Sequence, residues 1–212
     1  MKTVLVMLAA AGAVAATGVS NAAEVYTQIG TEGIGLGAGT HLGDNFGLRG
    51  EVNYGSLNHD FTVSDIDYDA KVKLKGASVL GDWFPTASPF RVTAGLNFNG
   101  SRVDATGTSD TTLTVNGQQY SAAGEAVYAR IEWPSVMPYL GIGFGHGRSK
   151  GWGFFADLGV MVGKPKTTLT ATPGLLAQVG SAQLEAERRE LQDKADDFRV
   201  YPVLKIGVSY SF

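Results

Sequence analysis

The sequence predicts an all-β fold: a transmembrane, eight-stranded, antiparallel up-and-down β-barrel with a helix in one long extracellular loop. Three observations lead there. Segments of about ten residues alternate strictly, as in FRVTAGLNFN, where Phe90, Val92, Ala94, Leu96 and Phe98 share one face and Arg91, Thr93, Gly95, Asn97 and Asn99 the other. The composition is 44% hydrophobic and only 17% charged, against roughly 25% charged in ordinary soluble domains. Yet no run after the N-terminal segment is long and apolar enough to cross a bilayer as a helix. In hydrocarbon every backbone polar group must be paired internally, so a closed barrel is the remaining way to span. Finally, Phe46, Trp83, Phe84, Phe90, Phe144, Trp152, Tyr210 and Phe212 fall beside the short GDN, PTASP and GHGRSKG connections or at the terminus. That is where a barrel places an interfacial aromatic girdle.

The first 22 residues read as a signal peptide. Lys2 supplies the positive end, VLVMLAAAGAVAA the apolar stretch, and Ser20 and Ala22 the small residues that a signal peptidase reads. Cleavage is expected between Ala22 and Ala23, with the next bond as the alternative. Residues 23–212 then form the barrel domain.

Eight strands are expected at about 24–30, 33–43, 46–55, 70–84, 90–104, 126–146, 151–164 and 199–212. The first is short, joined to the second by the TEG turn. In the second, Ile34, Leu36, Ala38 and Leu42 oppose glycines. The third sets Phe46, Leu48, Val52 and Tyr54 against Arg49, Glu51 and Asn53. The fourth begins with Lys71, Lys73 and Lys75 inward and Val72 and Leu74 outward. Its second half has no clear parity, which suggests a bulge near Gly81. The sixth turns Leu140, Ile142 and Phe144 outward, and the seventh Trp152, Phe154, Ala156, Leu158, Val160 and Val162. The eighth ends with Leu204, Ile206, Val208, Tyr210 and Phe212 at every second position. Such an ending fits a closing strand with one face in lipid. Its last aromatics, Tyr210 and Phe212, also fit the signal read by the outer-membrane assembly machinery.

The remaining connections, near 55–69, 101–135 and 164–199, are long and are expected outside the cell. Within the last, SAQLEAERRELQDKADDF is rich in helix formers, so a helix is expected over about 175–198. Glu190 and Lys194 are spaced for an ion pair on it.

IGTEGIGLG, NFGLRGEVNYG, GDWFP with PFRVTAGLNFNG, MPYLGIGFGHG and the ending YPVLKIGVSYSF resemble small Gram-negative outer-membrane barrels. The chain is similar to the carbapenem-associated CarO-like proteins, within the wider OmpW-like set of eight-stranded barrels. The resemblance spans most of the mature chain, and its motifs are architectural. It implies a fold, an outer-membrane location, and a role in small-solute uptake with a preference for basic amino acids. It carries over no functional residue.

Arg49, Glu51, Arg91, Asp157 and Lys205 occupy the inward parity of their strands, so a lumen charge cluster is expected. Buried charges must pair, and an eight-stranded barrel is just wide enough for side chains to fill. The cluster therefore reads either as an ionic plug or as the wall of a narrow polar path. At the extracellular mouth, Lys71, Lys73 and Lys75 adjoin an acidic loop carrying Asp60, Asp65, Asp67 and Asp69. These acids read as neutralising the lysines, as holding divalent cations that bridge lipopolysaccharide phosphates, or as attracting cationic solutes.

Catalysis is not expected. A lipid-modifying barrel needs a His beside a Ser or an acid at the outer rim. His146, near Ser149, falls at the periplasmic end. His59, beside Asp60 and near Ser56, reads as solvated, and His41 lies near the LGDN turn. No His pair has metal-ligand spacing. Cysteine is absent, so thiolate sites and disulfides are excluded. No cofactor is expected. A net charge of −3 argues against nucleic acid. Expected partners are outer-membrane lipid, lipopolysaccharide, the assembly machinery and small polar or charged solutes. The leading function is a narrow channel for such solutes. The alternatives are a structural or surface-interaction protein with a filled lumen, and a soluble periplasmic β-protein.

Overall fold

The computed structural model describes residues 23–63, 66–86, 88–108, 112–121, 123–146 and 150–212, without the side chains of 59–63, 66–68 and 113. The expected signal peptide and its cleavage site lie outside the described residues, as do Asp65 and Ser149 and the side chains of His59, Asp60 and Asp67.

In chain order the first strands are β1 (Ala23–Gly30), β2 (Gly33–Leu42), β3 (Phe46–Val63), β4 (Ile66–Trp83), β5 (Phe90–Asn99) and β6 (Arg102–Thr108). Then come β7 (Thr112–Val115), β8 (Gln118–Ser121), β9 (Ala126–Glu132), β10 (Val136–Phe144), β11 (Gly151–Val162) and β12 (Lys166–Ala171). Two helices, α1 (Pro173–Val179) and α2 (Ser181–Asp196), precede β13 (Val200–Ser211). Strands β4, β3, β2, β1, β13, β11, β10 and β5 pair antiparallel in that order, and β5 returns to β4. This closes a ring of eight and leaves no unpaired edge. The closing seam runs from Glu24 opposite Ser211 to Gly30 opposite Lys205, and Phe212 N–H donates to Ala23 C=O at 3.0 Å.

The ring inverts an ordinary protein. Its outer face exposes Leu36, Leu96, Leu140, Ile142, Leu158, Leu204 and Ile206, while Arg49, Glu51, Arg91, Asp157 and Lys205 are buried within. Most of the expected girdle is exposed at the end carrying Ala23 and Phe212, called proximal below. Phe84 differs: it is 6% exposed and lies inside, its ring 5.3 Å from that of His41.

The opposite, distal end departs from expectation in four respects. The expected loop at 55–69 is a paired hairpin, since β3 and β4 stay in register from Phe46 opposite Trp83 to Val63 opposite Ile66. That unbroken register also removes the suspected bulge at Gly81. The strands expected at 90–104 and 126–146 are each two elements. They break at Gly100–Ser101 and at Trp133–Ser135, the latter around Pro134, which has no N–H to donate. Pairing resumes beyond both breaks at an unchanged offset, so β4, β6, β9 and β12 form a sheet standing beyond the ring. The single helix expected over 175–198 is two, divided at Gly180, whose φ of 80° suits glycine.

This distal sheet has its own small core, in which Val115, Leu175 and Val179 are buried against Tyr120, Val127, Ala171 and Leu184. The β7–β8 hairpin turns on Asn116 and Gly117, both at positive φ, the Asn-Gly chemistry a two-residue turn favours. Its tip is held to α2 by Asn116 N–H donating to Glu187 at 2.6 Å and Asn116 Nδ2 to Gln183 at 2.5 Å. Helix α2 also covers the free edge of β12. Gln192 Oε1 accepts from Thr167 N–H at 2.9 Å, and its Nε2 donates to Pro165 C=O at 2.9 Å. One side chain thus supplies the donor and acceptor of an absent next strand. Glu190 and Lys194 form their i,i+4 ion pair at 2.7 Å.

Candidate functional site: the lumen and its distal rim

Period-two alternation sends every second side chain of each ring strand into the lumen, and the ring brings these groups together in two connected clusters. In the proximal cluster Arg49 grips Asp82 with Nε at 2.5 Å and Nη2 at 3.0 Å, and reaches Asp157 Oδ2 at 3.4 Å. Arg91, fully buried, pairs with Asp157 Oδ1, lies 3.4 Å from Asp82 and donates to Gly145 C=O at 2.9 Å. Thr93 adds a hydroxyl donor to Asp82 at 2.6 Å. Two guanidinium groups are thus interleaved with two carboxylates, a geometry that satisfies the fork of Arg49 on Asp82 and leaves Arg91 Nε without a hydrogen-bond partner among the described residues.

His146 seals this cluster on the proximal side. Its Nε2 lies 3.2 Å from Arg49 Nη1 and its Nδ1 2.5 Å from Glu24. Arg is a donor only, so Nε2 accepts. The Nδ1 proton then points to Glu24, and the ring is neutral. Phe155 and Tyr26 wall it in, with ring centroids at 4.1 and 4.7 Å.

In the second cluster Lys205 pairs with Glu51 and, at 2.6 Å, with Glu32. Tyr26 OH and Asn53 Nδ2 donate to Glu51 at 3.2 and 3.3 Å, and Asn97 Nδ2 donates to Glu32 at 2.9 Å. The Lys205 ammonium also lies 5.6 Å from the centre of the Tyr139 ring. Beyond the charges comes an apolar layer of Leu80, Met137, Tyr139, Met161 and Val203, topped by Trp133 and Tyr201. The small cavity beside that layer, lined by Glu32, Asn99, Ser101, Trp133, Met161 and Tyr201, holds about 10 Å³, near the minimum for one water.

The inward glycines make room for these large groups. A Cβ on Gly37 would fall 2.2 Å from the Tyr26 ring, and on Gly143 within 2.8 Å of the Arg91 guanidinium. Gly141 and Gly159 make way for Tyr139 in the same manner.

All five residues of the expected lumen cluster lie in these two networks. Sequence reasoning missed Glu24, Glu32, Asp82 and His146 as their partners. The alternation of AEVYTQIG already turns Glu24, Tyr26 and Gln28 inward. Asp82 was hidden by the unresolved parity of its strand, and His146 lies in a connection, where alternation says nothing.

The lysine row requires a correction. Lys75 stands opposite Tyr54 on the outer face, and the constant register puts Lys73 and Lys71 on that face too. They point away from the lumen, and Val72 and Leu74 share the inner parity instead. Lys73, Arg102 and Arg130 meet Asp104 at 3.6, 3.1 and 2.6 Å. Desolvation pushes the Asp104 carboxyl up, but hydrogen bonds from Arg130 and Arg102 outweigh it and hold the group below the usual carboxylate range. Asp69 is exposed on β4.

The chain is 23% identical to the crystal structure of Acinetobacter baumannii CarO2, covering 91% of this chain and 99% of that one with a TM-score of 0.64. It is 22% identical to Acinetobacter baumannii CarO, covering 89% and 97% with a TM-score of 0.60. The fold is that of an eight-stranded outer-membrane β-barrel. Comparison with protein-family models and with curated proteins gives no match.

Proposed function

We propose that this protein is a bacterial outer-membrane barrel with a filled lumen. It serves as a rigid anchor that presents the distal sheet and its two helices at the cell surface. The observation that carries this reading is the pair of stacked obstructions: buried, mutually paired charges below and an apolar layer above. A solute path would need hydrated charges, whereas Arg91 and Asp157 are held by protein groups on several sides. The apolar outer belt and the proximal girdle support the membrane location, and the fold of the CarO barrels agrees with it. The test is uptake of radiolabelled lysine and ornithine into phosphatidylcholine proteoliposomes carrying the full barrel domain. Uptake equal to that of protein-free vesicles is expected. Saturable uptake would restore the narrow channel.

A further inference from the structure

The outer face of the distal sheet carries a band of cations that the lumen does not use. Lys71, Lys73 and Lys75 of β4, Arg102 of β6, Arg130 of β9 and Lys166 of β12 share that face by register. Among the described side chains the same face holds three carboxylates, Asp69, Asp104 and Glu132. Among the described side chains positive charge is therefore in excess around Lys71, Lys73 and Lys75 and their partners, while the acidic positions 60, 67 and 69 lie further along the hairpin, away from the ring. The excess is concentrated where three cations converge on the single carboxylate of Asp104.

Height points to what meets this excess. Tyr54, Phe98 and Val136 are the last large apolar side chains on the outer face of their strands, each about half exposed or more. Lys75 stands opposite Tyr54, and Lys73 opposite Arg102 is the next outward pair. Two to four residues of tilted strand rise roughly 5–10 Å, which is the depth of the headgroup layer on one side of a bilayer. The band thus continues the lipid-facing belt into the headgroup region.

We propose that this band binds the phosphate groups of lipopolysaccharide, the phosphorylated glycolipid of the outer leaflet. Arg102 and Arg130 supply the planar forks that match phosphate oxygens, and the lysines supply point charges. Asp104 holds the two arginines and Lys73 in place between ligands. The inference rests on the barrel lying in a membrane with its distal sheet outside, and is independent of whether the lumen conducts.

The test uses the full barrel domain in phosphatidylcholine bicelles, titrated with lipopolysaccharide, with dephosphorylated lipopolysaccharide and with inorganic phosphate. Binding is expected for the first alone and should weaken steeply with salt. The variant Lys73→Gln, Arg102→Gln, Arg130→Gln should lose roughly fivefold in affinity for each cation removed. A second variant, Lys71→Gln with Lys75→Gln, leaves the Asp104 ion pairs intact and should lose affinity by the same factor per residue. Arg189→Gln with Lys194→Gln on α2 should match the parent within about twofold. Equal binding of both lipopolysaccharides, or parental affinity in the Lys71/Lys75 variant, would overturn the proposal. Binding of inorganic phosphate as tight as the lipid would overturn the choice of ligand. Lack of insertion into bicelles would fault the membrane reading instead.

Discussion

In the ring, Arg91 is fully buried while Phe154 is 81% exposed. In the distal region, Leu175 of α1 is fully buried against the sheet and Arg130 faces out. The same strands serve both regions. On β4, Leu80 and Asp82 point into the lumen and Val79 and Trp83 point out. A few residues further along, in unbroken register, Val72 has the inner parity and Lys71 and Lys73 the outer one. The chain does not change face. Its solvent does. Where the outside is hydrocarbon, apolar groups face out and charges must pair within. Where the outside is water and headgroups, the ordinary rule returns.

That contrast sets the size of the mutational effects. The largest should come from unpairing the ring's interior. Asp157→Asn leaves the buried guanidinium groups of Arg49 and Arg91 to share the carboxylate of Asp82 and should cost about 3–5 kcal/mol, read from urea unfolding in vesicles. A loss near 1 kcal/mol would mean that the cluster is hydrated. On the outer face of the same strand, Leu158→Arg should cost roughly 2–4 kcal/mol at mid-membrane depth. A change near zero there would place Leu158 outside hydrocarbon.

Leu175→Ala probes the other region. Truncating a buried Leu costs about 2–5 kcal/mol where it is part of the cooperative unit. Here that loss should appear as faster amide exchange in α1, α2 and β7–β8, with exchange in β1, β13 and β11 unchanged. Uniform loosening would show that the two regions fold as one. Gln192→Ala should cost about 1 kcal/mol and raise concentration-dependent association by uncovering the edge of β12.

The smallest effect should be pH-dependent. The Asp104 carboxyl sits below its unfolded pKa, so its contribution is present above the ordinary Asp range. It should disappear as pH falls through the lowered folded value. Exchange in β6 and β9 should quicken over that window, and high salt should blunt the change. A contribution that instead grew on acidification would reverse the assignment.

The two regions were also unequally legible in the sequence. Parity turned Arg49, Glu51, Arg91, Asp157 and Lys205 inward because apolar side chains mark the outer face along the whole of their ring segments. The same rule misplaced Lys71, Lys73 and Lys75, since Val72 and Leu74 lie beyond the belt and turn inward. The breaks at Pro134 and Gly180 were written in single residues inside otherwise regular patterns. Pairing across 60 or 100 residues, as between Arg49 and Asp157, followed only once the ring was closed.

The central claim is that paired charges and an apolar layer close the barrel. Single-channel current through planar bilayers tests it most directly, with the full barrel domain at moderate salt and applied potentials of both signs. A flat baseline is expected, and it should persist when Tyr139 and Met161 are both replaced by glycine, because the paired charges below still close the ring. Discrete ion-selective steps in the parent protein would contradict it.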